Sequence, residues 1–266
     1  VAMGWTDGKV DGSVTFRLDG RKALVTGASR GIGRAIAVHY AAAGADVAIS
    51  ARDEAKLADV AAEIESHGRK AVVVPADVLD GDAIRAAVDA SALALGGLDI
   101  LVNNAGGNSF STPLSSMRFA GWQKTFSLNV ESIVHACQAA APHLAAGTGA
   151  SVINVSSVAS LSGTPMMSHY GAAKAAVTSL TKSLAIEWAS AGVRVNSLLP
   201  GWIETDLTDF LRADEGIESS LIGQVPMMRW GLAREIAEPA VFLASDASSF
   251  MTGQQLIIDG GLSVSP

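Results

Sequence analysis

The sequence predicts an α/β domain, a doubly wound parallel sheet of about seven strands with helices on both faces. Three observations carry this. Short apolar runs alternate with longer amphipathic stretches, the pattern of repeated βαβ units. A glycine cluster, Gly27, Gly31 and Gly33, falls between the first apolar run and the first helical pattern. The chain of 266 residues is long enough for one large core, and no repeat, low-complexity tract or Pro/Ser linker divides it.

Taken in order, residues 23–26 (ALVT) form the first strand, and the glycine loop leads into a helix that runs to Ala43 and stops at Gly44. Residues 46–50 (DVAIS) are the second strand and 53–67 the second helix. Residues 71–75 are the third strand. A helix over 80–95 is broken by Gly96-Gly97, and 98–103 is the fourth strand. A helical region follows over about 121–146, then a strand at 150–156, a helix at 168–191 and a strand at 193–199. Residues up to Val225 read as irregular, followed by a helix at 233–244 and a last strand at 255–258. Crossovers between parallel strands are expected to be right-handed.

Composition excludes several classes. There are 19 basic against 26 acidic residues, a net charge of −7, which argues against nucleic acid or an anionic membrane as main partner. Cys137 is the only cysteine, so no disulfide forms within the chain, and a reducing, cytoplasmic setting fits. No apolar run reaches the roughly eighteen residues of a membrane span. Residues 1–17 lack the apolar core of a secretory signal and read as an arm ahead of the fold; residues 18–266 are one domain. The five histidines are scattered, with no partner at metal-ligand spacing, so no metal site is expected.

The chemistry concentrates between Ser157 and Lys174. Tyr170 and Lys174 are one helical turn apart and share a face. An ammonium beside a phenol favours the phenolate and lowers the phenol's pKa, which fits tyrosine for proton transfer near neutral pH. Ser157, at the end of an apolar run, offers a hydroxyl to a carbonyl oxygen. At the other end of the chain, glycines let backbone amides approach a pyrophosphate at a helix N-terminus. The spacing is Gly-x-x-x-Gly-x-Gly, and no Gly-Lys-Ser/Thr of a Walker loop is present.

Four segments together resemble the short-chain dehydrogenase/reductase family: Thr26-Gly-Ala-Ser-Arg-Gly-Ile-Gly33, Asn103-Asn104-Ala105-Gly106, Tyr170-x-x-x-Lys174, and Pro200-Gly201 with Thr205. The tail at 242–261 extends the likeness, which covers about 18 to the C-terminus and looks most like 3-oxoacyl-[acyl-carrier-protein] reductases. The resemblance implies a Rossmann-type fold and a catalytic set of Asn129, Ser157, Tyr170 and Lys174. Tyr170 would be general acid in reduction and base in oxidation. Lys174 would tune it and bond the nicotinamide ribose, Ser157 would bond the substrate oxygen, and Asn129 would hold a water leading to solvent. Gly27, Ser29, Arg30, Gly31, Ile32 and Gly33 would hold the dinucleotide's phosphates. Asp77, with the Val78 amide, would bond adenine, although Asp77 also reads as a helix N-cap. Asn104, Ala105 and Gly106 would line the nicotinamide side, and Pro200, Gly201, Ile203 and Thr205 the carboxamide side.

An acid at the end of the second strand would select a free ribose 2′-hydroxyl. Ala51 stands at that position and Arg52 follows it, with Arg30 in the glycine loop, so a 2′-phosphate and hence NADP(H) is expected, NAD(H) being the other possibility. Asp53 reads as the cap of the second helix rather than as the NAD-selecting acid. Residues 161–169 form a pocket wall with Met166 and Met167, and His169 is expected on the surface. Residues 202–228, with Leu207, Phe210, Leu211 and Leu221, resemble the family's substrate lid. The resemblance also implies a homotetramer through the helices at 121–146 and 168–191 and through the tail.

The expected function is hydride transfer between NADP(H) and the carbonyl or secondary alcohol of a small, partly apolar substrate. One alternative is a 3-oxoacyl thioester reductase acting on acyl-carrier-protein or coenzyme A substrates. Carrier proteins are acidic, and no Lys or Arg occurs between Lys124 and Lys174, so a small free substrate or a coenzyme A thioester is preferred. An alternative of another class is a non-catalytic dinucleotide sensor, which has no need of all four catalytic residues.

Overall fold

A computed structural model describes residues 16–206 and 208–265. Most of the arm at 1–17, and Leu207 of the lid, lie outside the described residues. The elements in order are β1 (Lys22–Thr26), α1 (Gly31–Ala42), β2 (Asp46–Ser50), α2 (Glu54–Ser66), β3 (Ala71–Val73), α3 (Gly81–Leu95) and β4 (Ile100–Asn103). Then follow α4 (Phe119–Phe126), α5 (Ser132–Ala145), β5 (Ser151–Val155), α6 (Ser168–Trp188) and β6 (Arg194–Pro200). The chain finishes with β7 (Ile203–Glu204), α7 (Asp209–Arg212), α8 (Glu215–Ile222), β8 (Gly231–Leu232), α9 (Ala233–Ala244) and β9 (Gln255–Ile258).

Seven strands form one sheet in the order β3-β2-β1-β4-β5-β6-β9, every pair parallel. Alternate residues of each strand serve opposite faces. Val25, Ile49, Val102 and Ile153 pack with Ile36 and Tyr40 of α1, Leu57 of α2 and Ile236 of α9. Leu24, Ala48, Leu101 and Val152 pack on the other face with Ile84 of α3, Ile133 of α5 and Val177 of α6. Both faces are covered, which is why the strands read as continuous apolar runs. The order reverses between β1 and β4, and such a switch point opens a crevice at the carboxyl ends of the strands.

Beyond small shifts of element ends, the secondary structure departs from the sequence reading at two elements and one helix cap. The single helix expected over 121–146 is two helices joined by a π-helical turn, Ser127–Glu131. The stretch after β6 is ordered: β7 pairs with β8, and α7 and α8 lie between them. Asp77 does not cap α3. Asp80 does, accepting from the Asp82 and Ala83 amides, while Asp77 Oδ1 accepts from Leu79 N at 3.1 Å.

Candidate active site

The glycine loop lies at the switch point. Gly27 and Gly31 take left-handed φ values of 65° and 55°, where a side chain is strained. Gly33 is needed for closeness, since a Cβ there would sit 2.3 Å from Gly27 O and 2.4 Å from Asn104 Nδ2. That amide donates to Thr26 O (2.9 Å) and Gly27 O (3.1 Å). Thr26 Oγ1 accepts from the Asn104 and Ala105 amides, both at 3.1 Å, and so sews the ends of β1 and β4 together. The N-terminus of α1 has no side-chain cap and no acid in its first turn. Its amides are free to receive an anion. Ser29 is half-buried in the loop, and Ile32 packs on the core beneath it. Val78 and Ala105 lie with Thr26 and Asn103 along a gap too narrow to hold a water molecule.

Around this loop, Arg52 is exposed and, among the described residues, makes no ion pair; Arg30 reaches Asp206 at 3.5 Å between two exposed side chains. Such an exposed pair is weak. Asp53 caps α2, accepting from Lys56 N at 3.2 Å, as its position in the sequence suggests. The lid begins against the loop: a Cβ on Gly31 would lie 3.2 Å from Thr205 Cγ2. Gly201 N donates to Ile258 O, so Pro200 and Gly201 are held by β9, and Ile203 is buried with its carbonyl bonded to Thr208 Oγ1. A cleft of about 430 Å³ within the lid is lined by Glu204, Glu215, Glu218, Met228, Arg229 and Trp230.

The four catalytic candidates gather beside this loop. Ser157 follows β5 and caps a 3-10 turn, its Oγ accepting from Ala159 N at 3.1 Å, which leaves the hydroxyl proton to donate. Ser156 Oγ donates to Lys174 O at 2.9 Å and ties α6 to the end of β5. Lys174, only 4% exposed, has Nζ 5.7 Å from the Tyr170 ring centroid and donates to Val155 O at 2.9 Å. Asn129 is fully buried in the π turn. Its Oδ1 accepts from Gly107 N (2.9 Å), and its Nδ2 donates to Gly107 O and Thr125 O, both at 3.0 Å. Gly106 lies between them: a Cβ there would sit 2.7 Å from Asn129 Oδ1 and 3.3 Å from Lys174 Nζ.

Electrostatics corrects one expectation. Tyr170 is not held below the ordinary phenol range in the free chain. Burial raises its pKa, and the Ser157 hydroxyl draws it partly back. Burial pushes Lys174 down to about 8. Desolvation is the first cause in both groups, since each charged form is taken out of water. His169 is also unlike its expected surface position, being fully buried. Sequence reasoning missed the polar chain under the site, in which Asn103 Nδ2 donates to Asn154 Oδ1 (2.8 Å) and Asn154 Nδ2 to Thr181 Oγ1 (2.9 Å). Polar residues at buried positions of β4, β5 and α6 were the available signal.

An anion cradle at the switch point suits a dinucleotide, and a half-buried tyrosine beside a buried lysine next to it suits proton transfer. The class is that of the nicotinamide-dependent oxidoreductases. Residues 27–263 match the family model described as enoyl-(acyl carrier protein) reductase. Gluconate 5-dehydrogenase of Gluconobacter oxydans (strain 621H) is 40% identical over 250 residues, 94% of this chain and 97% of that protein. The 3-oxoacyl-[acyl-carrier-protein] reductase FabG of Staphylococcus aureus (strain Mu50 / ATCC 700699) is 38% identical over 243 residues, covering 91% and 98%. A gluconate 5-dehydrogenase from Burkholderia cenocepacia J2315, solved in complex with NADP and tartrate, superposes with a TM-score of 0.90 at 39% identity, covering 95% of this chain and 98% of that one. The chain belongs to the short-chain dehydrogenase/reductase family.

Proposed function

We propose that this enzyme transfers hydride between NADP(H) and the carbonyl or secondary alcohol of a small uncharged substrate. The observation that carries the reading is the juxtaposition of Ser157, Tyr170 and Lys174 with an uncapped helix N-terminus across one sheet edge. The nicotinamide supplies or accepts the hydride. Ser157, whose hydroxyl faces the Tyr170 phenol in the free chain, donates its proton to the substrate oxygen where negative charge develops. Tyr170 gives the proton in reduction and takes it in oxidation. Lys174 lends positive charge to the phenolate, and Asn129 holds the Gly107 backbone and the π turn, where a water can reach Lys174. Asp77, its carboxylate not engaged in capping α3, is available to adenine with the Val78 amide. Asn104, Ala105, Gly106, Pro200, Gly201, Ile203 and Thr205 line the remaining cofactor surface, and residues 202–228 close over it. A single domain from about residue 18 and a cytoplasmic homotetramer complete the reading.

The substrate class follows from charge. No Lys or Arg lies between Lys124 and Lys174, and the lid cleft carries three glutamates, Glu204 among them paired with Arg212, against one arginine, Arg229. An acidic carrier protein meets like charge here. Similarity to the gluconate 5-dehydrogenases favours a second reading, a polyhydroxy acid, for which Arg229 is the cation that lines the lid cleft. Turnover of a panel holding a cyclic ketone, an α-diketone, a ketose, 5-ketogluconate and an acetoacetyl thioester separates the readings; preference for the anions would overturn the uncharged one.

Arg52 supports NADP(H), since an exposed guanidinium with no ion pair among the described residues can make charge-assisted bonds to a phosphate. Arg52→Ala is expected to lower the NADPH-over-NADH preference about tenfold or more, in line with charge-assisted bonds worth roughly 1.5–3 kcal/mol. An unchanged ratio of dissociation constants would sink the assignment.

A further inference from the structure

The loop that follows β4 is held from two sides. On one side Asn129 grips both the N–H and the C=O of Gly107. On the other side it is fastened to the chain just ahead of α6 and to the first turn of that helix. Thr112 N donates to Met166 O at 2.8 Å, and His169 Nε2 meets Asn108 Oδ1 at 3.0 Å. The imidazole stacks on Phe110, with ring centroids 4.2 Å apart and planes at 15°. Phe110 in turn fills the space over Gly121, where a Cβ would lie 2.9 Å from the ring. Met166 holds its carbonyl in place with a φ of 68°, unusual for a residue with a side chain.

His169 is an expensive way to fill this space. It is fully buried, and among the described residues its Nδ1 has no hydrogen-bond partner at good geometry, the Phe110 backbone being the polar group that favours its protonated form. A phenylalanine would stack on Phe110 without burying an unsatisfied nitrogen. What the imidazole adds is a directional bond to Asn108, with the Phe110 backbone as a second polar neighbour in the same segment, from the residue covalently next to Tyr170. The bond runs into the segment whose Gly106 borders both Asn129 and Lys174.

We propose that His169 is a positioning residue, which locks the 106–110 backbone, and with it the substrate-side wall, in register with Tyr170. This rests on the reading of Tyr170 as the acid/base. His169→Phe keeps a ring and removes the donor; His169→Gln places an amide nitrogen near the position of Nε2. Hydrogen–deuterium exchange on the free protein, and steady-state kinetics with the best carbonyl of the panel, are compared across the variants. In His169→Phe, exchange over 104–113 is expected to rise about tenfold, as does KM for the carbonyl, the size of one buried hydrogen bond, with KM for NADPH unchanged. His169→Gln is expected to restore both. Wild-type exchange and KM in His169→Phe would overturn the proposal. So would equal damage in both variants with a lowered Tm, which marks a packing role alone. If His169→Phe fails to fold, Asn108→Ala removes the same bond from its half-buried end and is read in the same way. Absence of turnover in wild type would count against the active-site reading, while the exchange measurement would still decide the role of His169.

Discussion

Tyr170→Phe is expected to lower turnover by about 10²–10⁴-fold, the range of a lost general acid or base, and to leave NADPH affinity within about twofold of wild type. The ring stays, so packing beside Lys174 is kept, and only the O–H is removed. The raised phenol pKa adds a direction to the prediction. In the free chain the phenol is protonated at neutral pH and ready to act as an acid, so ketone reduction needs no prior titration. Alcohol oxidation needs the phenolate, and its rate is therefore expected to climb from pH 7 toward pH 10. Turnover in Tyr170→Phe above a tenth of wild type would remove the tyrosine from the mechanism. A flat oxidation profile would remove the phenolate from it.

The order of the strands and helices was legible because each run carries its own punctuation. β2, α9 and β9 fall where the sequence places them, and Gly96, at the C-cap of α3 with φ 74°, stops that helix as expected. The phosphate loop was legible for the same reason, since its glycines are required by the local backbone and by Asn104 close by. What was not legible depends on contacts distant in sequence. The π turn exists where Asn129 bonds Gly107, 22 residues away, and nothing in the Ala-rich pattern of 121–146 marks it. Two aspartates precede α3, and position alone did not choose Asp80 over Asp77. The lid's short helices lean on single side chains, such as the Asp214 cap of α8 and the Trp230–Glu218 bond, rather than on an apolar period. The pKa expectation failed at the same level. Tyr-x-x-x-Lys places two side chains on one face, but the depth of burial, which no spacing shows, decides which way both groups shift.

Lys174→Met should abolish most turnover, by about 10²-fold or more if Lys174 is needed to make the tyrosine a competent acid/base. It should also show that the lysine is held against the stability of the free protein. Its pKa falls from 10.5 to about 8 because burial disfavours the ammonium, a difference of roughly 3 kcal/mol at about 1.36 kcal/mol per unit. Between those two values the unfolded chain binds more protons than the native one, so native stability rises with pH. Below about 8 the penalty is present in full; as pH rises toward 10.5 it is relieved. Methionine does not titrate. Wild-type stability measured against Lys174→Met should therefore improve by roughly 2–3 kcal/mol between pH 7 and pH 10, about 5–10 °C in Tm for a domain of this size, with other titrating groups cancelling in the difference. A gap that stays constant across that range would mean that the ammonium is solvated in the native state. An enclosed Lys174 would then be the wrong source for the charge that Tyr170 needs.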